Sequence, residues 1–244
     1  MADSDRSAER GKGQFPTTRW SLIVATHRKP TSSAREALAS LCESYWYPLY
    51  AYVRRQGHAV EDAQDLTQGF FAVLLEKDYL ADFDRERGRF RSFLLGAFKH
   101  YMSNERDRQR AAKRGGGQPL VSLDAQDAER RYSVEPAHDL TPERVYDRRW
   151  ALVLLDRTLE RLCRESAPSA HFDRLKVFLM GDSAGVSYGQ LAAELGMNEG
   201  AVKVAVYRLR RRFRDTLLAE IAETVAGAEE VEQEMRFLLS VVSA

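Results

Sequence analysis

The stretch SYGQLAAELGMNEGAVKVAVYRLRRRFR, residues Ser187 to Arg214, reads as two helices joined by a tight turn. Ser187 followed three residues later by Gln190 has the form of a capping box, the reciprocal pair of hydrogen bonds that starts a helix. Tyr188, Leu191, Ala192 and Leu195 then recur at helical spacing and give this helix one buried face. Gly196 suits the left-handed residue that ends a helix, and Asn198 is a good N-cap for the next. The second helix buries Val202, Ala205, Val206 and Leu209. Small Ala192 lets the two helices approach, and Val202 packs between them. From Glu199 to Arg214 there are six basic residues against one acidic residue. Lys203, Tyr207 and Arg208 project from the side opposite the buried stripe. Early in the helix, such residues reach base edges in a major groove, and the later arginines meet phosphates. Charge alone marks a solvated helix face just as well; turn chemistry, spacing and charge together favour DNA binding.

Working outward, the rest of the chain is also helical in pattern. Helix is predicted from Thr141 as N-cap and Pro142 at the first helical position, with Trp150, Val153, Leu154, Leu159 and Leu162 on its apolar face. A short helix is expected over Phe172 to Met180. Upstream, Ala37, Leu38, Leu41, Tyr45, Leu49 and Tyr52 form one helical stripe, and a second helix is predicted from about Val60 to Glu76. A third follows Gly88 and carries Phe90, Phe93, Leu94, Ala97, Phe98 and Tyr101. No stretch alternates as a half-buried strand would. The expected fold is all-α: two small helical domains joined by a flexible linker, the second containing the helix-turn-helix.

The divisions follow composition. Residues 1–30 are an N-terminal arm, polar over 1–14, and 31–114 form the first domain. Gly115-Gly116-Gly117 and Pro119 open a polar segment without apolar periodicity, so 115–140 reads as a linker. Residues 141–222 make the second domain. Residues 223–244 form an acidic extension with Val231, Met235, Leu238 and Val242 along one stripe. That extension either docks on the preceding domain or lays its acidic face over the basic helix and reduces DNA binding.

Several classes of function are disfavoured. The 244 residues carry a net charge of +1, so any polyanion-binding signal has to be local. No apolar run approaches the roughly 20 residues of a membrane span, and the N-terminal residues lack the apolar core of a signal peptide. Cys42 and Cys163 fit a reducing, cytoplasmic setting. His27, His58, His100, His138 and His171 are scattered without metal-ligand spacing, and no phosphate-binding glycine loop is present. Neither a cofactor nor an enzymatic activity is expected.

A second basic region runs from Asp84 to Arg114, with ten basic residues against four acidic ones and aromatics interleaved. Cations tracking a backbone beside aromatic platforms are how proteins hold single-stranded nucleic acid, although Phe93 and Phe98 at helical spacing belong to a core. At this point the chain resembles the extracytoplasmic-function class of bacterial sigma factors. Asp65-Leu66-Thr67-Gln68-Gly69-Phe70-Phe71 is similar to the family's polymerase-binding stretch, and Phe90-Arg91-Ser92-Phe93-Leu94 to its F-R-x-W-L segment. The Lys99 to Arg114 tract lies where the family opens the minus-ten element, and Ser187 to Phe213 resembles its minus-thirty-five reader.

The resemblance implies that Asp65, Leu66, Gln68 and Phe71 contact core RNA polymerase. It places Lys99, His100, Asn104 and Arg108 near melted minus-ten DNA, and Lys203, Val204, Tyr207, Arg208 and Arg211 on double-stranded minus-thirty-five DNA. The linker would thread toward the polymerase channel. An anti-sigma partner is left open. The alternative is a helix-turn-helix regulator of another kind, its first segment serving dimerisation or sensing.

Overall fold

The computed structural model describes residues 32–76, 89–111, 125–133, 140–166, 170–179, 185–225 and 227–243. Among them are nine α-helices, one 3-10 turn and no strand. Helix α1 spans Ser32–Arg55, α2 Val60–Glu76 and α3 Phe90–Ala111. A nine-residue helix, α4, covers Ala125–Ser133, and α5 covers Pro142–Glu165. The short α6, Ala170–Leu175, runs into a 3-10 turn at Lys176–Phe178. Then come α7 (Tyr188–Leu195), α8 (Glu199–Ala222) and α9 (Ala228–Val242). None of these helices is long and apolar enough to cross a membrane.

Local chemistry sets several boundaries. Thr141 caps α5 by accepting from the Arg144 N–H at 3.3 Å, with Pro142 in the first turn where its missing N–H costs nothing. The expected Phe172–Met180 helix is shorter and tightens at its end. The tightened turn places Phe178 in the interior, stacked on Tyr188 at 4.8 Å, and the Phe178 carbonyl accepts from Arg210 Nε at 2.9 Å. Met180 lies outside the described residues.

Most of the apolar burial is in one cluster. Tyr45, Leu49 and Tyr52 of α1 meet Phe70 and Leu74 of α2, and Phe90, Leu94 and Phe98 of α3. The same cluster takes Tyr146, Trp150 and Leu154 from α5, Leu217 and Ile221 from α8, and Met235 and Leu238 from α9. Two of its buried polar groups are satisfied internally: Trp150 Nε1 donates to Tyr45 Oη at 2.9 Å, and Tyr146 Oη donates to the Arg91 carbonyl at 2.9 Å. Helix α5 is therefore two-sided. One side grips α1 and α3, and the other meets α8 through Arg161 and Glu220 at 3.1 Å.

A smaller cluster lies under α7. Phe178, Leu191, Ala192, Val202 and Val206 pack together there, with Leu162, Phe172 and Leu209 adjoining as a third group. Helix α8 belongs to both regions. Its first half closes the small clusters, and its second half is buried in the large one.

Within the segment taken as a linker, α4 is held by charge. Arg54 forks onto Glu129 at 2.9 and 3.0 Å, and Tyr50 Oη donates to the same carboxylate at 2.6 Å. Apolar periodicity could not reveal this helix, because among its described side chains only Ala128 is a fully buried apolar group, with Tyr132 partly buried against the core. The remaining linker residues, apart from Leu140, lie outside the described residues. So does the arm, residues 1–30.

Candidate nucleic-acid and polymerase interfaces

Helix α8 begins under two tight constraints. Gly196 adopts φ 64°, a left-handed conformation that a side chain resists, and this turns the chain sharply after α7. Asn198 Oδ1 then accepts from the Ala201 N–H at 2.7 Å and starts α8. The Ser187–Gln190 capping box is present in both directions, at 2.8 and 3.1 Å. With Val202, Val206 and Leu209 facing inward, the opposite side is left to solvent.

On that side Tyr207 is 67% exposed and Val204 48%, two of the four exposed large apolar side chains among the described residues. Lys203, Arg208 and Arg211 are exposed beside them. Lys203 reaches back to Glu199 at 2.6 Å, and that hydrogen bond raises its pKa, so it is fully charged near neutrality. The remaining basic residues of α8 are committed to the protein. Arg210 binds the Phe178 carbonyl, Arg212 approaches Ser166 and Glu165, and Arg214 pairs with Glu232 at 3.1 Å.

Helix α3 carries a second polar face. Ser92, Gly96, Lys99, His100, Ser103, Asn104, Asp107 and Arg108 are exposed at helical spacing. Lys99 Nζ meets Glu143 of α5 at 2.7 Å, which raises the lysine pKa and lowers that of the carboxylate. Arg108 pairs with Glu105 at 2.7 Å along its own helix. The aromatics of this region face the other way: Phe90 and Phe98 are fully buried, and Phe93 packs partly against the core. The basic and polar half of the pattern is surface, and the aromatic half is core.

Helix α2 presents Asp65 to solvent with Leu66 and Gln68 half-buried beside it, whereas Phe71 is 3% exposed and packs against Phe70. A cavity of about 190 Å³ opens between α2 and α3, lined by Asp62, Asp65, Leu66, Tyr101 and Met102 among others. The Tyr101 hydroxyl sits directly over Gly69, in the space a Cβ would occupy. A glycine costs a helix interior about 1 kcal/mol relative to alanine, and this close approach gives it a purpose here.

Arg91 is a functional candidate that motif reading named without giving it a role. Nε and Nη2 grip Glu234 of α9 at 2.7 and 3.2 Å, and Nη1 meets Asp147 at 2.8 Å. Its guanidinium lies 3.9 Å from the centre of the Phe237 ring and 5.1 Å from that of Trp150. Burial opposes the charge, but the hydrogen bonds and charges of Glu234 and Asp147 outweigh it and leave the pKa of Arg91 raised. An arginine between two core phenylalanines was the available signal; its partner is 143 residues away.

The acidic extension does not lie over the exposed half of α8. As α9 it packs on α5 and the second half of α8, its apolar stripe inward. Glu234 faces Arg91 from inside the core, and Glu232 reaches Arg214 at the far end of the basic run.

An all-helical body, among the described residues, with two solvent-facing polar helix surfaces, one directly after a helix-ending glycine turn, fits the class of nucleic-acid-binding regulators. Within that class, a family model described as "ECF sigma factor" matches residues 35–219. The chain belongs to the ECF sigma factor family, RNA polymerase sigma factors that act in promoter recognition. No curated protein and no solved structure matches it.

Proposed function

We propose that the chain grips a promoter at two points while bound to core RNA polymerase in the cytoplasm. Asp65, Leu66 and Gln68 form the polymerase-facing surface of α2, and Phe71 holds that surface in place from inside the core. Lys99, His100, Asn104 and Arg108 follow the melted minus-ten strand. Lys203, Val204, Tyr207, Arg208 and Arg211 face the minus-thirty-five major groove. Residues 31–114 and 141–222 act as the two contact modules, joined through 115–140 and followed by the extension at 223–244.

The observation that carries this reading is the exposure of Tyr207 and Val204 beside Lys203, Arg208 and Arg211, with the packing stripe of α8 fully occupied. Apolar and aromatic groups flanked by cations suit thymine methyls and phosphates together. Transcription from a selected promoter with purified core polymerase tests the reading. Asp65→Ala with Gln68→Ala should weaken polymerase binding and leave binding of minus-thirty-five duplex unchanged. Tyr207→Ala should do the reverse. Failure of the wild-type chain to bind core polymerase would overturn the assignment of α2; equal loss of both activities in each variant would overturn the division of labour.

A further inference from the structure

Two DNA-facing helices can measure the spacing between two DNA elements only if something fixes the distance between the helices. Direct packing of α3 against α8 is slight. Helix α5 links them through the shared core, and the α8–α9 hairpin adds a second, polar tie. The Phe90 N–H, at the start of α3, donates to the Thr224 carbonyl in the turn after α8, at 3.2 Å. Arg91 forks onto Glu234, and Arg89 reaches Glu234 at 3.4 Å and Gln233 at 3.1 Å. Two residues earlier, Glu232 holds Arg214 of α8. Phe237 closes the contact by lying against the Arg91 guanidinium. Helix α9 lies outside the 35–219 family match, so the clasp is an addition to the matched unit.

We propose that α9 is a spacing clasp: by tying the first turn of α3 to the second half of α8, it restricts the promoter spacings with which the chain can initiate transcription. This rests on the two-point promoter reading above. The parts suit the role in different ways. A forked arginine–carboxylate pair fixes direction as well as distance, and here it is closed to solvent, so water cannot easily loosen it. The exposed Glu232–Arg214 pair adds little energy but sets where α9 sits along α8. Lys99–Glu143 and Arg91–Asp147 hold the same end of α5 to α3, so that a shift of α9 is transmitted to the α3 surface.

The test uses the full chain, core polymerase, and templates selected from a randomised promoter pool and then rebuilt with one to three base pairs added to or removed from the spacer. The wild type should show a narrow maximum. Glu234→Ala should flatten it, so that the ratio of initiation at the best spacer to that two base pairs away falls at least fivefold. Glu232→Lys, which touches no buried group, should shift or broaden the maximum without loss of folding.

An independent measurement is the distance between spin labels at Ser103→Cys and Ala193→Cys, with Cys42→Ser and Cys163→Ser. One narrow distribution is expected in the parent and a broader one in both clasp variants. Unchanged spacer profiles overturn the clasp. If no template supports initiation by the wild type, the two-point reading fails on its own, and equal label distributions in parent and variants then overturn the clasp. If Glu234→Ala does not fold, Glu232→Lys decides by the same two readouts.

Discussion

Replacing Glu234 by alanine removes the buried partner of a buried arginine, and the cost can be worked from the surroundings. The Glu234 side chain is 1% exposed and that of Arg91 9%, joined by bonds of 2.7 and 3.2 Å. After truncation, Arg91 keeps Asp147 at 2.8 Å and the faces of two aromatic rings, but two of its donors have no water to turn to. Breaking one side of such a pair costs about 3–5 kcal/mol, a large part of the roughly 5–15 kcal/mol that holds a folded chain. For a protein of this size the midpoint of thermal unfolding should fall by about 6–20 °C. Arg91→Met combined with Glu234→Leu should recover most of the loss, because the charge that lacks a partner is removed as well. Asp147, left alone, still reaches solvent. Urea unfolding followed by circular dichroism gives both free energies, with equal slopes confirming comparable transitions. A single-variant loss below about 1 kcal/mol, or a double variant no more stable than the single, would refute the reasoning.

Gly69→Ala should destabilise by about 1–3 kcal/mol despite favouring helix, because the new methyl falls on the Tyr101 hydroxyl. Adding Tyr101→Phe, which deletes the obstructing atom, should restore the loss in thermal unfolding. Gly196→Ala forces a side chain into the left-handed region and should cost about 1–2 kcal/mol, seen as faster amide exchange in α7 and the first half of α8. The pKa of Glu129 is lowered: burial opposes its charge, but hydrogen bonds from Arg54 and Tyr50 outweigh that. The resulting stabilisation of α4 is fully present above the ordinary carboxylate pKa and lost as pH falls through the lowered one, so amide protection over 125–133 should fall with acid. Arg208→Ala and Arg211→Ala should each reduce the slope of log affinity against log salt by about 0.9 if the side chain meets a phosphate; an unchanged slope places it off the backbone.

What could be read in advance was local. Ser187 with Gln190, Gly196, Asn198 and Thr141-Pro142 each act within four residues, and α5, α7 and α8 begin where those signals stand. The 60–76 helix and the buried set of α3 followed from periodicity alone, which reports one continuous face. Helix α4 was illegible because a forked ion pair to Arg54, 75 residues away, does the work that an apolar stripe does elsewhere. The acidic extension showed its apolar stripe plainly, but its charges suggested the nearest basic helix as their target. Glu234 instead meets Arg91, and only the fold brings those two together. Exposure of Tyr207 was legible because the facing positions Val202, Val206 and Leu209 already use up the packing side.

Helix α8 is also a lever. Its 24 residues run unbroken for about 36 Å, with Leu217 and Ile221 clamped in the large core and Lys203 near the other end, beside α7. A tilt of about 5° at Leu217 moves Lys203 by about 2 Å, enough to break a hydrogen bond to a base edge. If α8 faces DNA as proposed, substitutions at Leu217 or Ile221 should change which sequences are read without touching DNA. On that proposal, the accuracy of the reading end is set in the hydrophobic interior.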